Sequence, residues 1–562
     1  MGGLDPDLGT AVDQTSPVPD AHGQNFWRND PGFAALLPLY ASPELCQRLT
    51  PRLDHLGDLV GARLFDLAQT ADRNPPVLHL RNRRGQDDQR VEYHPAYLEM
   101  SRLAFGEFGI AALSHRAGVF GADAPLPPIA KYALTYLFAQ GEFGLLCPVS
   151  MTDSLTRTLR KFGDAALIAR FLPHLASQDM DTLYQGAMFM TEQGAGSDVA
   201  ATASTAQPLD NGRWALHGDK WFCSNPDADL AFVLARADPA RPGFAGVGLF
   251  LLPKRLDDGR PNHYKIVRLK DKLGTRSMAS GEIALDGAHA WLVGEIGQGF
   301  KQMADMVNNS RLSNAVRSAG MMRRALAEAL HVARNRVAFG KRLIELPLMQ
   351  RQLVKMLVRT EQARTMVFQT AETLRRADAG EPDAYALLRI LTPLIKFRAC
   401  RDARQVVGDA MEVRGGCGYI EEFPEPRLLR DAHLGSIWEG TSNIVALDVI
   451  RAVKREGSLP VLRAHLSSLA AEARFGALSE LWPRVEALVE RAKADPAHTR
   501  SAASALYHLS ASVAMAWEAA RLGSDTRRLL AETVLTHRLR PRDPLAAGNG
   551  ADVDWAPLLA AV

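Results

Sequence analysis

The chain is poor in residues that staple or anchor a fold from outside. Its 562 residues include only five cysteines, Cys46, Cys147, Cys223, Cys400 and Cys417. They are odd in number, scattered and without a Cys-x-x-Cys pair, which argues against a disulfide framework or a zinc site and fits reduced thiols. No uninterrupted apolar run reaches the ~18 residues that suggest a membrane span. Charge of one sign is lacking too. The 66 Lys and Arg stand against 63 Asp and Glu, a formal net charge of +3, so composition alone implies no polyanionic partner. Met1 to Gln24 is rich in Gly, Pro and Asp and has no apolar signal core. It reads as the start of a flexible leader, set at residues 1–40, and the default cell address is the cytoplasm.

What is present divides into stretches of different texture. At this length three or four domains are expected. Residues 41–186 read as a helical domain, with Leu45, Leu49, Leu53 and Leu56 at helical spacing. Arg81 to Arg90 interrupts that domain as a polar, mixed-charge loop. Residues 187–295 turn to short apolar runs cut by Asn-Gly, Asp-Gly and Pro-Gly pairs, the pattern of strands closed into a small barrel or sandwich. Residues 296–457 carry four long amphipathic segments, Phe300 to Arg336, Met349 to Ala377, Asp383 to Glu412 and Thr441 to Arg455, which predict a bundle. An Ala- and Leu-rich additional helical domain follows over 458–540, with an irregular tail at 541–562. The fold class is therefore α+β, mostly α.

The motifs carry more than the composition. Glu439 lies in Ser436-Ile437-Trp438-Glu439-Gly440-Thr441-Ser442-Asn443-Ile444, a carboxylate beside a flat ring. Far upstream, Met190-Thr191-Glu192-Gln193-Gly194-Ala195-Gly196-Ser197-Asp198 offers small residues and hydroxyls suited to close approach by a planar ligand. It is expected to join a helical region to the first strand. Lys220-Trp221-Phe222-Cys223-Ser224-Asn225 places a ring and a hydroxyl on one strand. Lys272-Leu273-Gly274-Thr275-Arg276-Ser277 comes next, then Gly294-Glu295-Ile296-Gly297-Gln298-Gly299-Phe300. The last is no dinucleotide fingerprint, because neither an immediately preceding strand nor a βαβ unit is expected there.

Taken in order, with Arg336-Val337-Ala338-Phe339-Gly340-Lys341 and Glu412-Val413-Arg414-Gly415-Gly416-Cys417-Gly418-Tyr419, these motifs resemble the acyl-CoA dehydrogenase superfamily. Asn74-Pro75-Pro76, Tyr93-His94-Pro95-Ala96, Leu146-Cys147-Pro148 and the long C-terminal block resemble its AidB-like, alkylation-response branch. The resemblance implies an N-terminal helical domain, a middle β domain, a C-terminal four-helix bundle and bound FAD. It implies that Met190, Thr191, Gly196 and Ser197 meet the ring and phosphate side of the flavin. Ser224 would bond near the redox-active nitrogen, with Phe222 covering the ring. Arg336, Phe339, Gly415 and Gly416 would reach the adenosine half from a neighbouring subunit. Trp438, Thr441 and Asn443 would lie close to the base, Glu439. Two positions depart from the family pattern, Pro347 for a usual Gln and Ala338 for a usual hydroxyl, both at the adenosine end.

The reaction implied is removal of an α-proton by Glu439 and of a β-hydride by the flavin, since no side chain accepts hydride. An acyl-CoA or related thioester would be the substrate, an electron-transfer flavoprotein the acceptor and a homotetramer the assembly. The rival reading is a DNA-binding flavoprotein that protects DNA during alkylation. From Ser458 to Val562 there are 12 Lys and Arg and 11 Asp and Glu, a difference of +1, too close to neutral for a strong polyanion footprint. Local clusters remain at Arg317, Arg323 and Arg324, at Arg451, Lys454 and Arg455, at Arg527 and Arg528, and at His537, Arg538, Arg540 and Arg542. A third use of the added domain is oligomer packing through Leu466, Leu469, Leu478, Leu481, Leu488 and Val489.

Overall fold

A computed structural model describes residues 18–210, 212–541, 543, 545 and 555–562. The expected leader is largely a packed segment. Asp30 caps helix α1 (Pro31–Tyr40), its carboxylate accepting from the Phe33 N–H at 3.1 Å, and Phe26, Trp27 and Phe33 are buried. The apolar stripe Phe33, Leu36, Leu37 and Tyr40 needs a partner surface, and that need overrides the Gly- and Pro-rich start. The remainder of the expected leader, residues 1–17, lies outside the described residues.

Helix α2 (Pro43–Gly61) buries Leu45, Leu49, Leu53 and Leu56, and α3 (Arg63–Arg73) follows. The expected polar loop at 81–90 is mostly the antiparallel hairpin β1 (Val77–Arg81) and β2 (Asp87–Glu92). Asn82 and Gly85 form its turn, Gly85 at φ +78°, so polar side chains there reflect an exposed ribbon. Helices α4 (Pro95–Ser101), α5 (Pro128–Phe138), α6 (Leu146–Phe162) and α7 (Ala165–Leu175) complete this part.

The β domain has seven strands: β3 (Gly186–Phe189), β4 (Thr205–Pro208), β5 (Trp214–Ser224), β6 (Leu230–Arg236), β7 (Val247–Pro253), β8 (Tyr264–Leu269) and β9 (Ser280–Val293). Pairings β6–β7, β7–β9, β9–β5, β5–β4 and β4–β6 close a ring, with β3 added on β6 and β8 on β9. Of the two expected alternatives, the barrel is the one formed. Strand β6 is apolar on both faces for a definite reason. Leu230, Phe232 and Leu234 enter the large helical core, whereas Ala231, Val233 and Ala235 fill the barrel, as the period of two requires.

The bundle consists of α8 (Gly299–Asn335), α9 (Pro347–Asp378), α10 (Ala384–Arg414) and α12 (Ser442–Glu456), with α11 (Pro424–Gly435) before the last. A two-residue ribbon, β10 (Val337–Ala338) with β11 (Lys341–Arg342), joins α8 to α9. Pro347 is the first residue of α9, where its missing N–H costs nothing and its fixed φ suits a helix start. The added domain comprises α13 (Ser458–Glu472), α14 (Ala477–Ala494), α15 (Thr499–Leu522) and α16 (Asp525–Val534). Its leucine stripe is largely used within the chain: Leu466, Leu478, Leu481 and Val489 are buried. The expected irregular tail includes α17 (Ala556–Ala560), where Trp555, Leu558 and Leu559 are buried. Arg334 on α8 donates to the carbonyls of Leu559 (2.9 Å) and Val562 (2.8 Å). Apolar burial decides here as it does for α1.

A cluster of buried charge joins the N-terminal segment, the bundle and the added domain. Asp30 meets Arg364 (2.6 Å) and Arg323 (3.1 Å), and Glu361 lies between Arg364 and Arg527. Arg527 also donates to Glu518 at 2.8 Å, and Glu518 accepts from the Tyr40 hydroxyl at 2.7 Å. Three arginines thus face three carboxylates inside the fold.

Candidate active site

Glu439 sits between α11 and α12 on a left-handed turn, with φ +56° at Glu439 and +97° at Gly440. A non-glycine residue there costs about 1–3 kcal/mol, so the surroundings must impose it. Two cations do. The Lys396 ammonium on α10 donates to the carbonyls of Trp438 (2.7 Å) and Gly440 (2.6 Å). The Arg311 guanidinium on α8 donates to the Glu439 carbonyl (2.9 Å) and is held by Asp448 (2.7 Å). Burial pushes the Lys396 ammonium down to about 8. Among the described residues seven non-glycines have positive φ, and four of them, Asn225, Thr275, Phe339 and Glu439, lie in the motifs. Strain of this kind gathers where function fixes geometry.

The side chain of Glu439 points at α8. Its Oε1 accepts from the Ser310 hydroxyl, and its buried Oε2 has no hydrogen-bond partner among the described residues. One turn and two turns beyond Ser310 on the same face come Asn314 and Arg317, both buried. Asn314 donates to the Gly435 carbonyl at 3.1 Å. The Trp438 ring stacks on Phe143 (centroids 5.9 Å apart, 20°). Phe143 is placed by Glu142, whose carboxylate accepts from the Gly144 and Leu145 N–H groups and from the Ser277 hydroxyl at 2.8 Å. The Lys272–Ser277 motif therefore reaches the site through Ser277. The buried Cys147 thiol lies between the two halves, with the Ser224 hydroxyl beside it and within electrostatic reach of Glu439.

The other expected residues take up two further places. Met190, Thr191, Gly196 and Ser197 form the loop after β3, which follows the first strand and does not precede it. Glu192 pins this loop by pairing with Lys220 on β5 (2.6 Å) and accepting from the Ser204 hydroxyl (2.7 Å). The Thr191 carbonyl accepts from the Trp221 N–H at 2.8 Å. A Cβ built on Gly194 or Gly196 meets nothing within 4 Å, so packing within the chain does not demand these glycines. Phe222 on β5 is 59% exposed. Arg336 and Gly415 meet each other, Arg336 donating to the Arg414 carbonyl at 3.1 Å, with Gly416 and the 95% exposed Phe339 nearby in sequence. Thr441 caps α12 as its backbone N-cap, and it and Asn443 are exposed. The glycine run at 294–299 does follow a strand, β9, contrary to expectation, but leads into a 37-residue bundle helix and no βαβ unit.

Sequence reasoning overlooked Ser310, Arg311, Asn314 and Lys396. The signal for Ser310 and Asn314 was available, since with Arg317 they interrupt the buried face of α8 at spacings of four and three, whereas Lys396 lies on α10. The basic clusters assigned to DNA are mostly consumed by the fold. Arg317, Arg323, Arg324 and Arg527 are buried, Arg528 pairs with Glu532 and Arg540 with Glu480, while Arg542 lies outside the described residues.

Comparison with known proteins places the whole arrangement. The acyl-CoA dehydrogenase middle domain matches residues 187–288 and the acyl-CoA dehydrogenase C-terminal domain residues 297–454. The adaptive response protein AidB N-terminal domain matches residues 17–182. Acyl-CoA dehydrogenase family member 11 of Caenorhabditis elegans is 33% identical over 437 residues, 76% of this chain and 70% of its own length. AidB of Escherichia coli (strain K12) is 36% identical over 420 residues, 72% of this chain and 74% of its own. Among solved structures, C. elegans ACDH-11 in complex with C11-CoA is similar at TM-score 0.83 and 28% identity, covering 95% of this chain and 93% of that one. The match thus extends past residue 454 into the added helical domain. The chain belongs to the acyl-CoA dehydrogenase family, on its AidB-like side, and is an FAD-dependent oxidoreductase of that type.

Proposed function

We propose that this protein dehydrogenates an acyl-CoA thioester between the α and β carbons, with Glu439 as the base. The observation that carries this reading is the clamped turn at 438–440. Lys396 and Arg311 fix three successive carbonyls, so the Glu439 carboxylate stands in one place beside the Trp438 ring. Ser310 holds Oε1, which leaves Oε2 to take the α-proton. The Glu439 N–H is the nearby candidate to bond the thioester oxygen as charge develops. FAD, when bound, supplies the hydride acceptor that no side chain can be.

The residues fit that group. Phe222 offers an exposed ring face on β5, the small residues Gly194 and Gly196 leave room for close approach, and the Ser224 hydroxyl lies beside the Cys147 thiol. Arg336 and Gly415 would hold the adenosine half of a neighbouring subunit's FAD. Arg336 lies 26 residues beyond Ser310, about 39 Å away along a helix of 1.5 Å rise. That gap is long for one dinucleotide, which supports a site shared between subunits, and the assembly we propose is a homotetramer. Ala338 and Pro347 serve the ribbon and the start of α9, and both stand at this adenosine end. An electron-transfer flavoprotein is the acceptor we propose, and five free cysteines suit a reducing compartment such as the cytoplasm. Among the described residues no helix is long and apolar enough to cross a membrane.

The test is anaerobic mixing with a panel of acyl-CoAs. Bleaching of the flavin absorbance by one of them is expected. Glu439→Gln should keep its yellow flavin and lose bleaching by at least about 10³-fold, as removal of an essential base does. Undiminished bleaching in that variant would falsify the assignment.

One observation favours a second reading, duplex DNA as a partner. Arg401 is crowded by Arg398, Arg404 and Arg500, which lower its guanidinium after burial has done so. Arg398 is paired with Asp402, which leaves Arg401, Arg404 and Arg500, together with the exposed Arg451 and Arg455, as the cations we propose for phosphates. A gel shift of duplex DNA that weakens steeply with salt supports it, and no shift at low salt removes it.

A further inference from the structure

Arg317 is the exception among the buried cations. Four arginines are less than 2% exposed: Arg317, Arg324, Arg364 and Arg414. Arg324 meets Glu328, Arg364 meets Asp30 and Glu361, and Arg414 meets Glu328 and Glu425. Arg317 meets no carboxylate among the described residues. Its Nη1 and Nη2 have no hydrogen-bond partner there, and Nε has only a long contact, 3.4 Å, to the Ser313 carbonyl. Its guanidinium lies over the rings of Trp438 (4.9 Å) and Phe143 (5.2 Å). Such contacts recover only part of what a guanidinium loses on leaving water. An unpaired buried charge costs more than that, so the rings alone do not account for a cation here.

Its position says what would. Arg317 shares the α8 face of Ser310, the residue that bonds the catalytic carboxylate, and helical side chains lean toward the N-terminus, here back toward Ser310. The buried thiols of Cys147 and Cys400 each lie within electrostatic reach of both Arg317 and Glu439. Three neighbours of Arg317 also carry buried polar atoms without a partner among the described residues: Trp438 Nε1 in the ring beneath it, Asn314 Oδ1 on the same helix face, and Glu439 Oε2 next to Trp438 in the chain. Of the charged groups around this turn, Arg311 is held by Asp448, Lys396 is engaged by the Trp438 and Gly440 carbonyls, Glu439 is engaged by Ser310, and Lys272 donates to the Met278 carbonyl. Arg317 is left without a counter-charge, and its guanidinium is a forked donor made for oxyanions.

We propose that Arg317 is a specificity determinant which receives an oxyanion carried on the acyl chain of the substrate, a carboxylate in the simplest case. This rests on the acyl-CoA reading above and narrows its substrate class to short acyl thioesters with an anionic far end.

The experiment compares glutaryl-, adipyl- and suberyl-CoA with hexanoyl- and octanoyl-CoA. Anaerobic flavin bleaching gives kcat/KM, and calorimetry on the Glu439→Gln holoenzyme, which does not turn over, gives affinity. The expected result is a preference for at least one dicarboxylic thioester of 10-fold or more. Arg317→Met should shift that preference by about 100-fold toward the alkyl thioesters, the usual penalty for losing one side of a buried charge pair. Arg317→Lys, which keeps charge and loses the fork, should fall between. Flavin content and thermal midpoint of each variant confirm that the fold is retained. An equal loss on both substrate classes in Arg317→Met and Arg317→Lys assigns Arg317 to holding Trp438 and Phe143 and overturns the proposal. Alkyl thioesters bleaching the flavin while dicarboxylic ones neither bleach nor bind also overturns it, leaving the acyl-CoA reading intact. If neither class bleaches or binds, both fail together.

Discussion

Two buried charge clusters in this protein are built on opposite principles. In the cluster joining the N-terminal segment to the added domain, Asp30, Glu361 and Glu518 face Arg323, Arg364 and Arg527, and the charges cancel within the fold. Around Glu439 the charges do not cancel, because Arg317 meets no carboxylate among the described residues and both its Nη atoms lack a partner there. Single atoms of the first cluster, such as Arg364 Nε and Glu361 Oε1, also lack a hydrogen bond, but every charge in it has a counter-charge. A cluster whose charges cancel holds elements together, whereas a cation left without a carboxylate has interaction free energy still to be used on something that enters.

Truncation of one member should separate the two. Arg364→Met leaves two buried cations, Arg323 and Arg527, against three carboxylates, and is expected to lower stability by about 3–5 kcal/mol, read as a fall in the urea midpoint at constant slope. Arg317→Met removes a charge with no partner to strand, and should be neutral or stabilising by about 1 kcal/mol in the same measurement. Equal destabilisation by both would erase the distinction.

The smaller effect concerns pH. Lys396 has its ammonium pushed down to about 8 from 10.5, first by burial. Between those two values the unfolded chain binds the proton and the folded chain has lost it, so stability should rise with pH across the window. The shift corresponds to about 3 kcal/mol. Activity should run the other way. As Lys396 loses its charge near pH 8, its bonds to the Trp438 and Gly440 carbonyls weaken, giving an alkaline limb in kcat. Lys272, also pushed down to about 8, lies in the same protein, so Lys396→Gln is needed as control, and its profile should lack that limb.

Much of this was legible in the sequence, in a way that follows physical range. The barrel strands and the bundle helices are written in local periodicity: β3 to β9 span residues 186–293, against the 187–295 expected, and α8 falls where residues 300–336 put it. Glu439, Ser224 and Phe222 were named by motif. What local pattern could not supply were contacts distant along the chain. Tyr40 finds Glu518 across 478 positions and Arg364 finds Asp30 across 334, so Arg527 read as a free cation and residues 18–40 as a loose leader. The positive φ at Glu439 was equally hidden, because Lys396 and Arg311, which impose it, lie on other helices.

Strands β6 and β7 place alternate side chains in two different cores. Neither the helices nor the barrel can therefore be opened while the other keeps its packing along this seam. Amide protons of the barrel strands and of the central bundle helices should exchange with solvent as one cooperative unit, and the strand that carries Phe222 and the turn that carries Glu439 would be lost in a single event.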